Sequence, residues 1–237
     1  MNWIKRQLNR FKKWLIGLVI GSTALAAGIA ADNQIDPYTD YADKYEITTD
    51  KQDEGIERTS FSKLKPEMTL GKWNDEVQMK VEYSLNATGD RQFLTDKIEW
   101  VGTDEKVVAY PIADGYEFEI ILEKKPLTNI FSFTITGTEN LDFFYQPALT
   151  QKEIDEGASR PDNVINSFAV YHKTKANHKT GSVDYKTGKA FHWYRPQATD
   201  ANGNWIWVEL LYDEKVGIMS YTIDPVWLNL ATYPVKF

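Results

Sequence analysis

The chain has 237 residues, 42% of them hydrophobic and 26% charged, and carries 8 Trp, 13 Tyr and 11 Phe. This size and ring content exclude a chain disordered throughout, a collagen-like repeat and a coiled coil, and allow one sizeable core or two modest ones. The formal charge is −7, but residues 1–31 hold five cations and no acid, which leaves 22 bases against 34 acids, or −12, on the remainder.

Lys5, Arg6, Arg10, Lys12 and Lys13 precede an uncharged run, Trp14 to Ala31, that ends in small residues. A basic start, a short apolar helix and small side chains at a cleavage point form a tripartite export signal. Ala24-Leu25-Ala26 and Gly28-Ile29-Ala30 both fit signal peptidase, so residues 1–31 are expected to be a signal peptide or a retained signal anchor. Either outcome places the acidic body in an extracytoplasmic setting, secreted or at the cell surface, with membrane contact only through this segment. Residues 32–60 read as an acidic, flexible linker: Asp32 to Arg58 contain nine acids, three bases and few aliphatic residues. Tyr45 to Thr49 is the one stretch within it that could pair as an edge strand.

Residues 61–237 are expected to fold. Val77, Met79, Val81, Tyr83 and Leu85 alternate with polar residues, the period of a half-buried strand. The pattern returns in Tyr116, Phe118, Ile120 and Leu122 and again in Phe131, Phe133 and Ile135. These two runs, separated by Glu-Lys-Lys-Pro-Leu-Thr-Asn, read as a hairpin. Further strands are expected at Ile98 to Val101, Val107 to Ile112 and Leu141 to Tyr145. Thr150-Gln151-Lys152-Glu153 is a capping box that opens a short crossover helix ended by Gly157. Extended segments follow at Val164 to His172, Ala190 to Arg195, Trp205 to Tyr212, Val216 to Ile223 and Tyr233 to Phe237. Asp200 to Asn204 and Asp213 to Gly217 are turns, and Asp224-Pro225 caps a last helical turn. The sum predicts an all-β fold, an antiparallel β-sandwich of immunoglobulin-like or jelly-roll-like type with one short helix in a crossover loop. A division near residue 147 into two subdomains is the alternative to a single unit.

Chemistry is less legible. The body lacks the clustered Lys and Arg that a phosphate backbone requires, so no nucleic-acid partner is expected. The absence of cysteine removes disulfides, thiolate metal sites, a Cys nucleophile and a lipid-bearing cysteine. His172, His178 and His192 with Asp184 offer metal-ligand types, but a Lys-rich, turn-prone stretch separates the first two, and no metal or cofactor is expected. Asp200, Asn202 and Asn204 alternate as calcium ligands do, yet Asn202-Gly203 stands where a hairpin turn has it rather than where a calcium loop does. No G-x-S-x-G elbow or phosphate-cradling glycine loop is present. With 34 acids a carboxylate pair suited to glycoside hydrolysis arises by chance, so abundance identifies no enzyme. The candidate ligand-binding residues are aromatic: Trp193, Tyr194, Trp205, Trp207 and Tyr212, rings that stack on sugars if they face solvent and form core if they do not.

The C-terminal two thirds also carry a resemblance. Leu141-Asp-Phe-Phe-Tyr-Gln-Pro147, LTQKEIDEGASRPDNV, AVYHK, YKTGKAFHWYRP and the closing ATYPV at residues 231–235 resemble N-terminal β-sandwich domains, uncharacterised as a group, of secreted bacterial and phage-associated surface proteins. Domains of this kind precede DNRLRE- or RHS-type modules. The resemblance covers about residues 76–237 and implies a sandwich fold and a surface context, the chain being a fragment, a truncated relative or a minimal form without the downstream modules. It brings no catalytic residues. The expected role is therefore a non-enzymatic structural or adhesive module engaging a cell-surface or envelope component. A carbohydrate-binding module is the second reading, and a hydrolase of envelope polysaccharide the third.

Overall fold

Alternating side chains make two sheets that face each other. The computed structural model describes residues 39–41, 43–50, 55–85, 91–94, 97–113, 115–175, 179–180, 183–184 and 188–237. Residues 1–38, where an export signal is expected, and His178 lie outside the described residues, as does the side chain of Asp184. In chain order the first strands are β1 (Thr39–Asp40), β2 (Lys44–Asp50), β3 (Ile56–Ser62), β4 (Glu67–Lys72), β5 (Val77–Tyr83), β6 (Arg91–Leu94) and β7 (Lys97–Val101). Next come β8 (Glu105–Ile112), β9 (Gly115–Leu122), β10 (Ile130–Thr136), β11 (Leu141–Gln146), helix α1 (Gln151–Asp155), β12 (Ser167–His172), β13 (Lys179–Thr180) and β14 (Val183–Asp184). The chain closes with β15 (Lys189–Trp193), β16 (Gln197–Thr199), β17 (Trp205–Trp207), β18 (Glu209–Asp213), β19 (Ile218–Thr222), helix α2 (Pro225–Leu230) and β20 (Val235–Lys236).

One sheet has the order β1-β2-β3-β4-β5-β10-β19-β18 and the other β17-β16-β20-β9-β8-β7-β6. All pairings are antiparallel among the described residues. A three-stranded sheet, β11-β12-β15, and the short pair β13-β14 complete the fold. The protein is an all-β sandwich, and residues 38–237 form one unit. Its core holds the alternating residues picked out in sequence: Val77, Met79, Val81 and Tyr83 from β5, and Phe131, Phe133 and Ile135 from β10. Rings interlock across the gap. Phe118 of β9 meets Phe133 of β10 edge-on at 5.8 Å, Phe61 meets Tyr116 at 6.0 Å, and Phe131 meets Phe237 at 4.8 Å.

Three expectations change. The runs around Phe118 and Phe133 are not a hairpin: β9 pairs with β8 and β20, whereas β10 pairs with β5 and β19. The loop between them crosses from one sheet to the other, so the two aromatic rows pack face to face instead of side by side. Trp205 to Tyr212 is likewise two strands in different sheets, switching at Val208, which is fully buried. The acidic linker is, from Thr39 on, the margin of the larger sheet. Tyr45 and Ile47 pack on the core while Lys44–Glu46 and Lys72–Glu57, each at 2.7 Å, pair charges along the strands. Average composition hid an alternation that strand pairing uses.

The two helices among the described residues are capped as their sequences direct. Thr150 Oγ1 accepts the Glu153 amide while Glu153 accepts the Thr150 amide, and Asp224 accepts the amides of Val226 and Trp227. Gly137 follows β10 with φ of 72°, and a Cβ there would lie 2.0 Å from the Gln78 carbonyl oxygen. Phe133→Ala is expected to cost about 3–5 kcal/mol, because the ring is buried against three others. Gly137→Ala is expected to cost at least about 1–2 kcal/mol from its backbone conformation alone, and more because β5 must shift. Urea unfolding of each variant beside wild type checks both values.

Candidate functional site

The β16–β17 hairpin carries two of the five aromatic candidates, and its turn explains how it is held. Asp200 Oδ1 accepts the amides of Asn202 at 2.9 Å and Asn204 at 2.8 Å. Its Oδ2 accepts the Asn204 side-chain amide at 3.1 Å and the Thr232 amide at 3.2 Å. These donors, the Asn204 side chain foremost, hold the Asp200 carboxyl below the usual carboxylate range. Gly203 takes φ of 83° to close the loop. The alternating Asp and Asn residues thus work as a hydrogen-bonded turn, with both Asp200 oxygens engaged by N–H donors.

Register then decides which way the rings point. Gln197 stands opposite Trp207, Ala198 opposite Ile206 and Thr199 opposite Trp205. Directly opposed residues share a face. Ala198 is fully buried and Ile206 packs on the core, so Gln197, Thr199, Trp205 and Trp207 occupy the outward face. Lys236, opposite Thr199 on β20, extends it and is exposed. Trp205 is 52% exposed and meets Trp207 edge-on at 5.5 Å. The Arg195 guanidinium lies over the Trp207 ring at 5.2 Å and donates from Nε to the Val208 carbonyl at 3.1 Å. Trp207 is therefore braced from one side while Trp205 presents an open indole. β17 is the last strand of its sheet.

The remaining candidates lie elsewhere. Tyr212 is half-buried between sheets, stacked on Phe143 at 4.2 Å and near Phe168. Trp193 is half-buried and donates from Nε1 to the Tyr221 hydroxyl. Tyr194 is 52% exposed and lies against the His192 ring at 4.3 Å. The structure thus brings together Trp205 and Trp207 and sets Trp193 and Tyr194 apart at a cavity, with Tyr212 in the packing of β18 on the three-stranded sheet. Arg195 and Gln197 complete the outer face and were not singled out in sequence. Their only signal was position, flanking Pro196, which precedes β16.

The two described histidines, His172 and His192, do not converge. His172 accepts the Thr174 and Lys175 amides on Nδ1 and turns Nε2 toward Glu76 at 3.3 Å, with Trp73 edge-on at 5.6 Å. His192 Nε2 lies 2.8 Å from the Ser167 hydroxyl, and Nδ1 is buried with no hydrogen-bond partner. Among the described residues no three His, Cys, Asp or Glu side chains gather as a metal site. Burial, with the Lys189 charge behind it, pushes the His192 imidazolium down to about 4 from the ordinary 6.5. Between these values an unfolded chain takes up a proton that folded His192 refuses. The folded state therefore keeps this contribution in full above the upper value and loses it as pH falls towards the lower one. His192→Gln is expected to flatten this part of the pH dependence, read as the difference between variant and wild-type urea midpoints across the window.

No known protein family, curated protein or solved structure matches this chain.

Proposed function

We propose that this chain is an extracytoplasmic, non-catalytic adhesive module that binds a glycan of the envelope or cell surface through the outer face of the β16–β17 hairpin. The observation that carries the reading is the outward indole of Trp205, flanked by Thr199 and Gln197 on a rigidly paired hairpin. An exposed ring face meets the C–H groups of a pyranose, and neighbouring amide, hydroxyl and guanidinium groups reach its hydroxyls. Gln197, Thr199, Arg195 and Lys236 supply that polar rim. The flat shape of a sheet face suits an extended chain of sugars better than a single small one. The basic and apolar leader of residues 1–31 supports display outside the cytoplasm. The resemblance to domains of secreted surface proteins supports the same setting.

A glycan array probed with wild type and Trp205→Ala tests the reading. Wild type is expected to bind at least one envelope-type polysaccharide, and the variant to lose about tenfold or more in affinity. Because the ring faces outward, the thermal midpoint of the variant should stay near that of wild type. A silent wild type, or a variant that binds as well, would remove the glycan reading and leave a structural module.

A further inference from the structure

The three most exposed large apolar side chains among the described residues are Leu127 at 109%, Leu64 at 77% and Leu230 at 76%. Strand pairing places all three at one end of the sandwich. Leu64 lies in the turn from β3 to β4, and Glu67 at the start of β4 faces Glu82 at the close of β5. Tyr83 faces Phe133 of β10, so the β9–β10 crossing that carries Leu127 enters β10 at that same end. Ile130 faces Thr222 at the close of β19, and α2 with Leu230 follows directly. Val226, one helical turn before Leu230, is exposed and lines a shallow groove with Leu127, whereas Leu228 is buried. At the usual strand spacing of about 4.8 Å, the row from the β3–β4 turn to α2 spans roughly 17 Å. Single exposed aliphatic residues are ordinary, but several gathered at one end mark an interaction surface.

Two observations identify what covers it. Charge is the first. Lys63 and Lys65 flank Leu64, and Lys124 and Lys125 precede Leu127. Lys65 pairs with Glu67 at 3.0 Å and Glu82 at 2.6 Å, and Lys124 pairs with Asp104 at 2.7 Å. Ammonium and carboxylate groups thus offset each other around the leucines, on a body that carries −12 over residues 32–237. Such an end fits a zwitterionic surface, whereas an anionic one repels the body. The chain's entry is the second. The fold begins at Thr39, and the turn after β1 is tied to the leucine turn by the Lys63 amide, which donates to the Asp43 carbonyl at 2.8 Å. From Ala31, the close of the apolar run, to Thr39 is eight residue steps, at most about 30 Å of chain. A leader retained as an anchor therefore keeps a bilayer within reach of this end.

We propose that this end of the sandwich rests on a zwitterionic lipid bilayer, with Leu64, Leu127, Val226 and Leu230 inserted where headgroups meet acyl chains. The lysine stems lie along the apolar layer and lift their ammonium groups to the headgroup phosphates. Side chains on turns and a short helix need to reach only about 5–10 Å to enter that boundary. Membrane contact then extends beyond the leader. The inference rests on the export reading for the bilayer it meets, and it is independent of the glycan.

The absence of cysteine gives the test its specificity. A nitroxide on Leu127→Cys or Leu64→Cys, each in the full chain, reports one position whatever the leader does. On phosphatidylcholine vesicles both labels are expected about 5 Å or more below the phosphates, read from collisions with oxygen against those with a water-soluble nickel chelate. A label on Glu214→Cys, in the β18–β19 turn at the opposite end, should stay in water. Adding Leu64→Asp and Val226→Asp should return the Leu127→Cys label to water with the thermal midpoint little changed, since both side chains are exposed. A Leu127→Cys label that stays in water, even on chain held by its leader, overturns the proposal, as does equal shielding of the Glu214→Cys label. Shielding of the Leu127→Cys label without vesicles would assign the patch to a second copy of the chain and overturn the bilayer. Insertion only after anionic phosphatidylglycerol is added would overturn the choice of headgroup. Cell fractionation reads export separately, so failure of that reading and failure of the insertion remain distinguishable.

Discussion

Edge-on contact between rings of opposite sheets is the interaction on which this fold depends. Phe133 sits at its centre, touching Phe118 across the gap and Tyr83 and Tyr221 within its own sheet. With no cysteine in the chain, no covalent tie can hold the layers, so complementarity of ring edges and faces must fix their spacing and relative slide.

Strand identity was legible wherever alternation was long. β5, β9 and β10 follow from Val77 to Tyr83, Tyr116 to Leu122 and Phe131 to Ile135 because period two exposes one row and buries the other. Pairing was not legible, because alternation says which face is apolar and nothing about the neighbour. The seven residues Glu123 to Asn129 fit a hairpin loop and a sheet-to-sheet crossing equally well by length. Charge misled more seriously near the start of the domain. Nine acids in a short stretch read as self-repelling chain, yet Tyr45 and Ile47 needed only two inward positions to anchor β2, and Lys44 within the strand and Lys72 from β4 met the Glu46 and Glu57 carboxylates.

The aromatic candidates show the same limit from the functional side. Rings spaced two apart on a strand share a face, and for Trp205 and Trp207 that face was more naturally assigned to the core. Ala198 and Ile206 reverse the assignment: the small and aliphatic residues on the other face take the interior, so both indoles turn outward. Only the register between β16 and β17, set by the Asp200 turn, makes this visible. The His192 ring lies against Tyr194, and its Nε2 is held by a serine 25 residues earlier in the chain.

The sheet switch at Val208 has a mechanical consequence. Its amide donates to the Pro196 carbonyl at 3.0 Å and its carbonyl accepts from Arg195, so the base of the β16–β17 hairpin is clasped on both sides of one residue. β17 ends and β18 begins on either side of it, in opposite layers. A tug on the outer indoles is therefore shared at once between both halves of the sandwich, and an edge ribbon that would otherwise peel away strand by strand must shear the whole body to let go.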